Sequence, residues 1–172
     1  MKPTPILYLD LDGTVRKGFD ELGRFVNSAK DVILFPRMAE RLHSYKQAAW
    51  RIVGVSNQGG IALGHVKYYD VASAMMATQE QAQGAFDKVI FCQHHPDAKD
   101  PEYAKCFCRK PRIGMLVLAQ SYLNETYPDE CYPPHMALMV GDREEDRQCA
   151  ENGGVDFLWA KDWRMQPFTI EV

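Results

Sequence analysis

No stretch of this chain approaches the roughly 20 apolar residues that a membrane-spanning helix requires. It also lacks a charge surplus. Lys and Arg number 20 against 23 Asp and Glu, a net charge of −3, so nothing draws the whole molecule toward nucleic acid or an anionic membrane. An amino-terminal signal peptide is not expected, because Lys2 is followed by prolines and by an apolar run that soon meets Asp10. Cysteines are few and odd in number, at five, which argues against a disulfide framework and for reduced thiols. The expected location is the cytoplasm. Repeats, low-complexity tracts and interdomain linkers are missing too, which leaves one domain spanning 1–172. What is present suffices for a core: 46% of the residues are hydrophobic and 25% are charged.

Apolar runs alternate with helical patterns. Ile6–Leu9, Arg51–Val55, Val89–Phe91, Ala137–Val140 and Val155–Trp159 read as strands buried on both faces. Between them, Pro36 suits a helix start, with Met38, Leu42, Tyr45 and Ala49 recurring on one face. Residues 65–83 are rich in good helix formers. Ile113, Leu116, Val117 and Leu123 mark another stripe. A charged helix from Asp142 to Asn152 should stop at Gly153-Gly154. Strand–helix alternation predicts an α/β fold, three layers around a central parallel sheet. The irregular stretches are 16–35 and 93–110.

In open α/β sheets, ligands bind beyond the carboxyl ends of the strands. Those ends carry Asp10 and Asp12, Ser56 and Asn57, and Asp142, with Arg109 and Lys110 following the third strand. Carboxylates, a hydroxyl and two cations are what transfer of a phosphoryl group requires, since positioning and electrostatics dominate that reaction. A carboxylate can attack phosphorus. Asp10 and Asp142 would repel each other unless a cation lay between them, and Mg²⁺ suits such hard oxygen ligands. Asp12 could protonate the leaving alcohol and then deprotonate water. Gly13 permits a sharp turn. Lys110 and Ser56 would hold the remaining phosphate oxygens.

Each element has a bland reading by itself: an Asp-rich turn, a helix cap, a solvated Arg-Lys pair, a charged first helical turn. Their conjunction in order is far more specific. Asp10-Leu11-Asp12-Gly13-Thr14, Val55-Ser56-Asn57-Gln58, Arg109-Lys110-Pro111 and Gly141-Asp142-Arg143-Glu144-Glu145-Asp146 resemble the four motifs of the haloacid dehalogenase (HAD) superfamily. The resemblance implies Asp10 as nucleophile and Asp12 as acid/base. It implies Mg²⁺ on the Asp10 and Asp142 carboxylates and the Asp12 carbonyl, with Asp146 supporting. Thr14 and Asn57 join the expected substrate contacts.

Cys92-Gln93-His94-His95 and Cys106-Phe107-Cys108 form a C-x-H…C-x-C pattern, four soft or borderline ligands suited to tetrahedral Zn²⁺. The chain is similar here to the HAD subfamily IIIA enzymes with a zinc-bearing loop, the heptose-bisphosphate and histidinol-phosphate phosphatases. That similarity spans about residues 5–160. It implies Cys92, His94, Cys106 and Cys108 as ligands of a structural zinc in a loop of about 92–108. It also implies Arg109 as a substrate-phosphate contact and no large cap domain. Departures include Leu11 in place of Arg, Gly59 in place of Ser, Arg143 in place of Lys, and the run Val15-Arg16-Lys17-Gly18-Phe19.

The expected activity is Mg²⁺-dependent hydrolysis of a small phosphorylated metabolite, a sugar phosphate or similar compound. Two competing readings stand beside it. A nucleic-acid 3′-phosphatase would share the first two motifs, with Arg16, Lys17, Arg24 and Lys30 lining a groove, although acidic residues interrupt them. A catalytically silent, zinc-stabilised binding module is the other. None of these patterns encodes an oligomeric state.

Overall fold

All five apolar runs become strands of one parallel sheet in a computed structural model that describes residues 1–167. Residues 168–172 of the expected domain lie outside the described residues. The strands are β1 (Lys2–Pro3), β2 (Ile6–Leu9), β3 (Arg51–Asn57), β4 (Lys88–Cys92), β5 (Glu130–Cys131), β6 (Ala137–Gly141) and β7 (Asp156–Trp159). The helices are α1 (Phe19–Leu22), α2 (Met38–Gln47), α3 (Tyr68–Gln81), α4 (Pro101–Ala104), α5 (Gly114–Thr126), α6 (Glu144–Gly153) and α7 (Ala160–Met165). The main sheet runs β4-β3-β2-β6-β7, and β1 pairs with β5 apart from it. That small pair carries no sequence signal, because two residues are too few to show a period.

Burial on both faces explains the unbroken apolar runs of β2, β3 and β6, whereas β4 and β7, expected to be buried likewise, lie at the sheet edges and are only partly buried. Successive β2 residues point to opposite sides. Leu7 and Leu9 pack with Leu42, Ile52, Val71 and Trp163, while Ile6 and Tyr8 pack with Met115, Leu123 and Met139. Each large aliphatic side chain so buried contributes about 1.5–3 kcal/mol.

The register aligns Leu9 with Gly54 on one side and Val140 on the other. Asp10 therefore emerges next to the ends of both β3 and β6, its amide donating to Val140 O at 2.9 Å. Strand order reverses at this point: β3 and β4 are laid to one side of β2, β6 and β7 to the other. A crevice at such a reversal is where open α/β sheets bind ligands.

Two helix expectations need adjustment. Helix α2 starts at Met38 rather than at Pro36, with Arg37 in the left-handed region at φ 59°. On α5 the buried face is Met115, Leu116, Ala119 and Leu123, while Ile113 and Val117 are exposed. One residue is about 100° of rotation, so Val117 turns away from the face that Leu116 presents. The expected stop of α6 is present, with Gly154 at φ 64°.

The stretch 16–35 contains only α1 and a 3₁₀ turn at Ala29–Asp31, not a cap domain. At the far end of the sheet Arg51 donates to both oxygens of Glu130 (2.6 and 2.9 Å) and to Asp87 (3.2 Å), and its guanidinium lies over the Tyr127 ring. Among the described residues no helix is long and apolar enough to cross a membrane.

Candidate active site

At the carboxyl edge of the sheet, a buried ammonium organises the carboxylates. Lys110 Nζ donates to Asp10 Oδ1, Asp146 Oδ1 and the Val55 carbonyl, each at 2.7 Å. Its three protons thus have three acceptors. Burial alone would pull this lysine down, but Asp10 and Asp146 hold it above its ordinary value. Burial pushes the Asp10 carboxyl up to about 8; Lys110 opposes the shift, while Asp146, Asp142 and Asp12 add to it. The Lys110 backbone is fixed by Asn57, whose Oδ1 accepts from Lys110 N (3.0 Å) and whose Nδ2 donates to Lys110 O (3.1 Å).

Asp10, Asp142 and Asp146 offer carboxylate oxygens within 4.8 Å of one another. Asp146 is the most committed. Its second oxygen accepts from Arg143 N at 3.1 Å, capping α6. Asp142 Oδ1, by contrast, is buried without a hydrogen-bond partner, an arrangement that is costly unless a cation is bound. Burial, followed by Asp146, raises the Asp142 carboxyl to about 6. Gly13 brings the first motif against Asp142: a Cβ there would lie 2.1 Å from Asp142 Oδ2, and φ is +84°. An oxygen-only, anionic donor set with an orphaned oxygen fits Mg²⁺.

Asp12 is turned elsewhere. Arg16 Nε donates to its Oδ1 at 2.8 Å and Arg16 Nη2 to its Oδ2 at 3.2 Å. Gln58 Nε2 donates to Asp12 Oδ2 and to Ser56 Oγ, both at 2.8 Å. Asp12 therefore stays outside the carboxylate cluster and lines a cleft of about 400 Å³ together with Asp10, Ser56, Arg109 and Lys110.

Two expected substrate contacts are placed differently. Thr14 is fully buried, does not line the cleft, and its Oγ1 has no hydrogen-bond partner among the described residues. Asn57 reaches the cleft, but its amide is taken up by the Lys110 backbone. Arg16, expected in a basic groove, is wholly buried. The sequence motifs included Gln58 without assigning it a task. Phe19 and Phe25, in tilted contact with ring centroids 4.9 Å apart on the cleft wall, carried no motif at all.

The cysteine–histidine set converges as its spacing suggested. Cys92 Sγ lies 3.5 Å from His94 Nδ1, 3.7 Å from Cys106 Sγ and 3.1 Å from Cys108 Sγ. Cys108 Sγ is 3.3 Å from His94 Nδ1, and all four ligand atoms fall within 4.8 Å of one another. Burial pushes the Cys92 thiol well above its usual range, so its thiolate needs a cation. Three sulfurs and one imidazole nitrogen around a common centre fit tetrahedral Zn²⁺. His95 is not in the cluster; it lines the active-site cleft. Arg109 joins the two sites, its amide donating to Cys106 Sγ at 3.3 Å and its Nη1 to the His94 carbonyl at 3.2 Å.

Known proteins match this arrangement along most of the chain. The family described as polynucleotide kinase 3 phosphatase matches residues 5–169. D-glycero-D-manno-heptose-1,7-bisphosphate 7-phosphatase of Chlorobaculum tepidum is 31% identical over 159 residues, covering 90% of this chain and 77% of that protein. The histidine biosynthesis bifunctional protein HisB of Legionella pneumophila is 33% identical over 159 residues, 89% of this chain but only 40% of HisB. Among solved structures, a HAD-like phosphatase of Mesorhizobium loti superposes with a TM-score of 0.76 at 28% identity, covering 90% of this chain and 71% of that one. D,D-heptose 1,7-bisphosphate phosphatase of B. bronchiseptica, solved with magnesium and phosphate, has a TM-score of 0.69 at 26% identity, covering 91% and 79%. Strand order, motif placement and these matches agree: the chain belongs to the polynucleotide kinase 3 phosphatase family and is a phosphatase of HAD type.

Proposed function

We propose that this phosphatase hydrolyses a small phosphorylated metabolite in two steps through an aspartyl-phosphate on Asp10. The observation that carries the reading is the meeting of Lys110 with Asp10 at 2.7 Å, beside an Asp142 oxygen that has no partner. In the first step an Asp10 carboxylate oxygen attacks phosphorus. The ester P–O bond breaks, and the leaving oxygen takes a proton from Asp12. In the second, water attacks the phosphoryl group, Asp12 takes its proton, and inorganic phosphate departs from a regenerated Asp10. Mg²⁺ held by Asp10, Asp142 and the Asp12 carbonyl would neutralise charge on the phosphoryl oxygens. Lys110 fixes one Asp10 oxygen and contributes positive charge, and Ser56 and Arg109 would hold phosphate oxygens. Zinc on Cys92, His94, Cys106 and Cys108 would stiffen the loop that carries Arg109 and Lys110.

A cleft of about 400 Å³ has the volume for a metabolite, and two relatives are named for heptose bisphosphates. The matched family's description favours a second substrate, a polynucleotide 3′-phosphate. Against it, Arg16 is buried and Arg24 pairs with Asp31 at 2.7 Å, which leaves Lys17 and Lys30 of the proposed groove. A panel of phosphorylated metabolites and a 3′-phosphorylated oligonucleotide, assayed with Mg²⁺ at several salt concentrations, separates the two. Sugar phosphates should turn over with little salt dependence, EDTA should abolish turnover, and Asp10→Asn should fall to background. Equal phosphate release by wild type and Asp10→Asn would leave only a binding module.

A further inference from the structure

We infer that Arg16 is a positioning residue that holds the acid/base Asp12 and so governs proton delivery to the leaving group. This inference rests on the assignment of Asp12 as acid/base. Arg16 has no exposed surface and does not line the cleft, so it cannot touch substrate. Nevertheless, all three of its guanidinium nitrogens are engaged. Nε and Nη2 grip both oxygens of Asp12, while Nη1 donates to Thr78 Oγ1 at 2.8 Å and to the Ala74 carbonyl at 3.2 Å. Burying a guanidinium is expensive unless it is paired, and an apolar side chain would fill this space at lower cost. Its carboxylate partner is the one that faces the cleft, with a side chain 27% exposed. The arrangement therefore serves Asp12.

The backbone supports the same geometry. Arg16 N donates to Leu11 O at 3.0 Å and Gly13 N donates to Arg16 O at 2.8 Å, so Asp12 and Arg16 belong to one closed turn. Through Thr78 and Ala74 the clamp ties that turn to α3, 62 and 58 residues away in sequence. A bidentate fork fixes the plane of a carboxylate, which a lysine cannot do. When Asp12 passes its proton to the leaving oxygen it becomes a carboxylate, and the guanidinium is already in place for that charge.

Leaving groups provide the test. An alkyl phosphate needs a proton at its departing oxygen, whereas p-nitrophenyl phosphate scarcely does. The quantity kcat/KM reports the first transfer, which alone involves the leaving group. With Mg²⁺ present, Arg16→Met should lower kcat/KM for 2-glycerol phosphate by about 10²-fold, within the range of general acid catalysis, and leave p-nitrophenyl phosphate within about fivefold. Should Arg16→Met fail to fold, as judged by its thermal melt, Thr78→Val removes a single acceptor from the clamp at nearly constant volume. It should show the same selective loss, on the order of tenfold. Asp12→Asn serves as the reference. If it shows the selective loss and the Arg16 and Thr78 variants fall equally on both substrates, Arg16 is only structural and the inference is overturned. If Asp12→Asn itself shows no selectivity, the acid/base assignment fails and the inference falls with it.

Discussion

Replacing Lys110 with methionine would leave two buried carboxylates facing each other. Asp10 and Asp146 lose their shared 2.7 Å partner, and their oxygens remain within 4.8 Å. At that separation and an effective dielectric near 20, the repulsion is about 3 kcal/mol. Protonation of Asp10, already raised to about 8, relieves part of this. The two lost charged hydrogen bonds add to it, and removing one member of a buried ion pair costs about 3–5 kcal/mol in total. Since stabilities run to about 5–15 kcal/mol, the loss is large. It corresponds to a fall in Tm of roughly 10 °C for a chain of this size. Urea denaturation in EDTA measures it without interference from metal. Asp146→Asn retains an acceptor for the Arg143 amide while removing the charge, and it closes a double-mutant cycle. The double variant should be more stable than the sum of the single losses implies, with a coupling energy of about 2 kcal/mol. Activity should stay lost in Lys110→Met and in the double variant, because the nucleophile has lost its cation. A coupling below about 0.5 kcal/mol would refute the central role given to this ammonium.

Gly13→Ala places a methyl group 2.1 Å from Asp142 Oδ2 at a φ of +84°, so Asp142 must move. The Mg²⁺ concentration for half-maximal activity should rise on the order of tenfold, read from a metal titration. Cys106→Ser should shed zinc and loosen residues 92–108, checked by metal analysis and limited proteolysis; full zinc occupancy would count against the ligand set. Glu130 is held below its ordinary value of 4.5 by its hydrogen bonds from Arg51, with burial opposing and Tyr132 helping. A depressed carboxyl contributes stability above its unfolded pKa and loses it as pH falls through the folded one. Wild-type Tm should therefore drop below about pH 4.5 more steeply than that of Glu130→Gln; parallel acid limbs would remove Glu130 from the account.

The five strands and their parallel sheet were legible because each is a short apolar run between helices, with Ile6 and Leu7 satisfying opposite faces; that Lys88–Cys92 and Asp156–Trp159 are partly exposed edge strands was decided by the strand order. The gathering of Asp10, Ser56 and Lys110 at the cleft, with Asp142 beside Asp10, was legible for a related reason: every strand of a parallel sheet ends at the same edge. The convergence of Cys92, His94, Cys106 and Cys108 followed from ligand type and close spacing. The α5 stripe was misread because Val117 and Leu116 are equally apolar, and only the docking of the helix selects one face.

Which end of the sheet carries the chemistry, and which residue types meet there, was thus determined by the chain itself through short-range pattern and strand polarity. The partner that each polar side chain takes was decided only by tertiary structure. Arg16 reads as a surface cation until Thr78 and Ala74, far along the chain, receive it in the interior. Asn57 looks like a substrate contact until the Lys110 backbone, 53 residues away, occupies both ends of its amide. A hydrogen bond forms between groups that packing brings within about 3 Å, and no local periodicity encodes that distance.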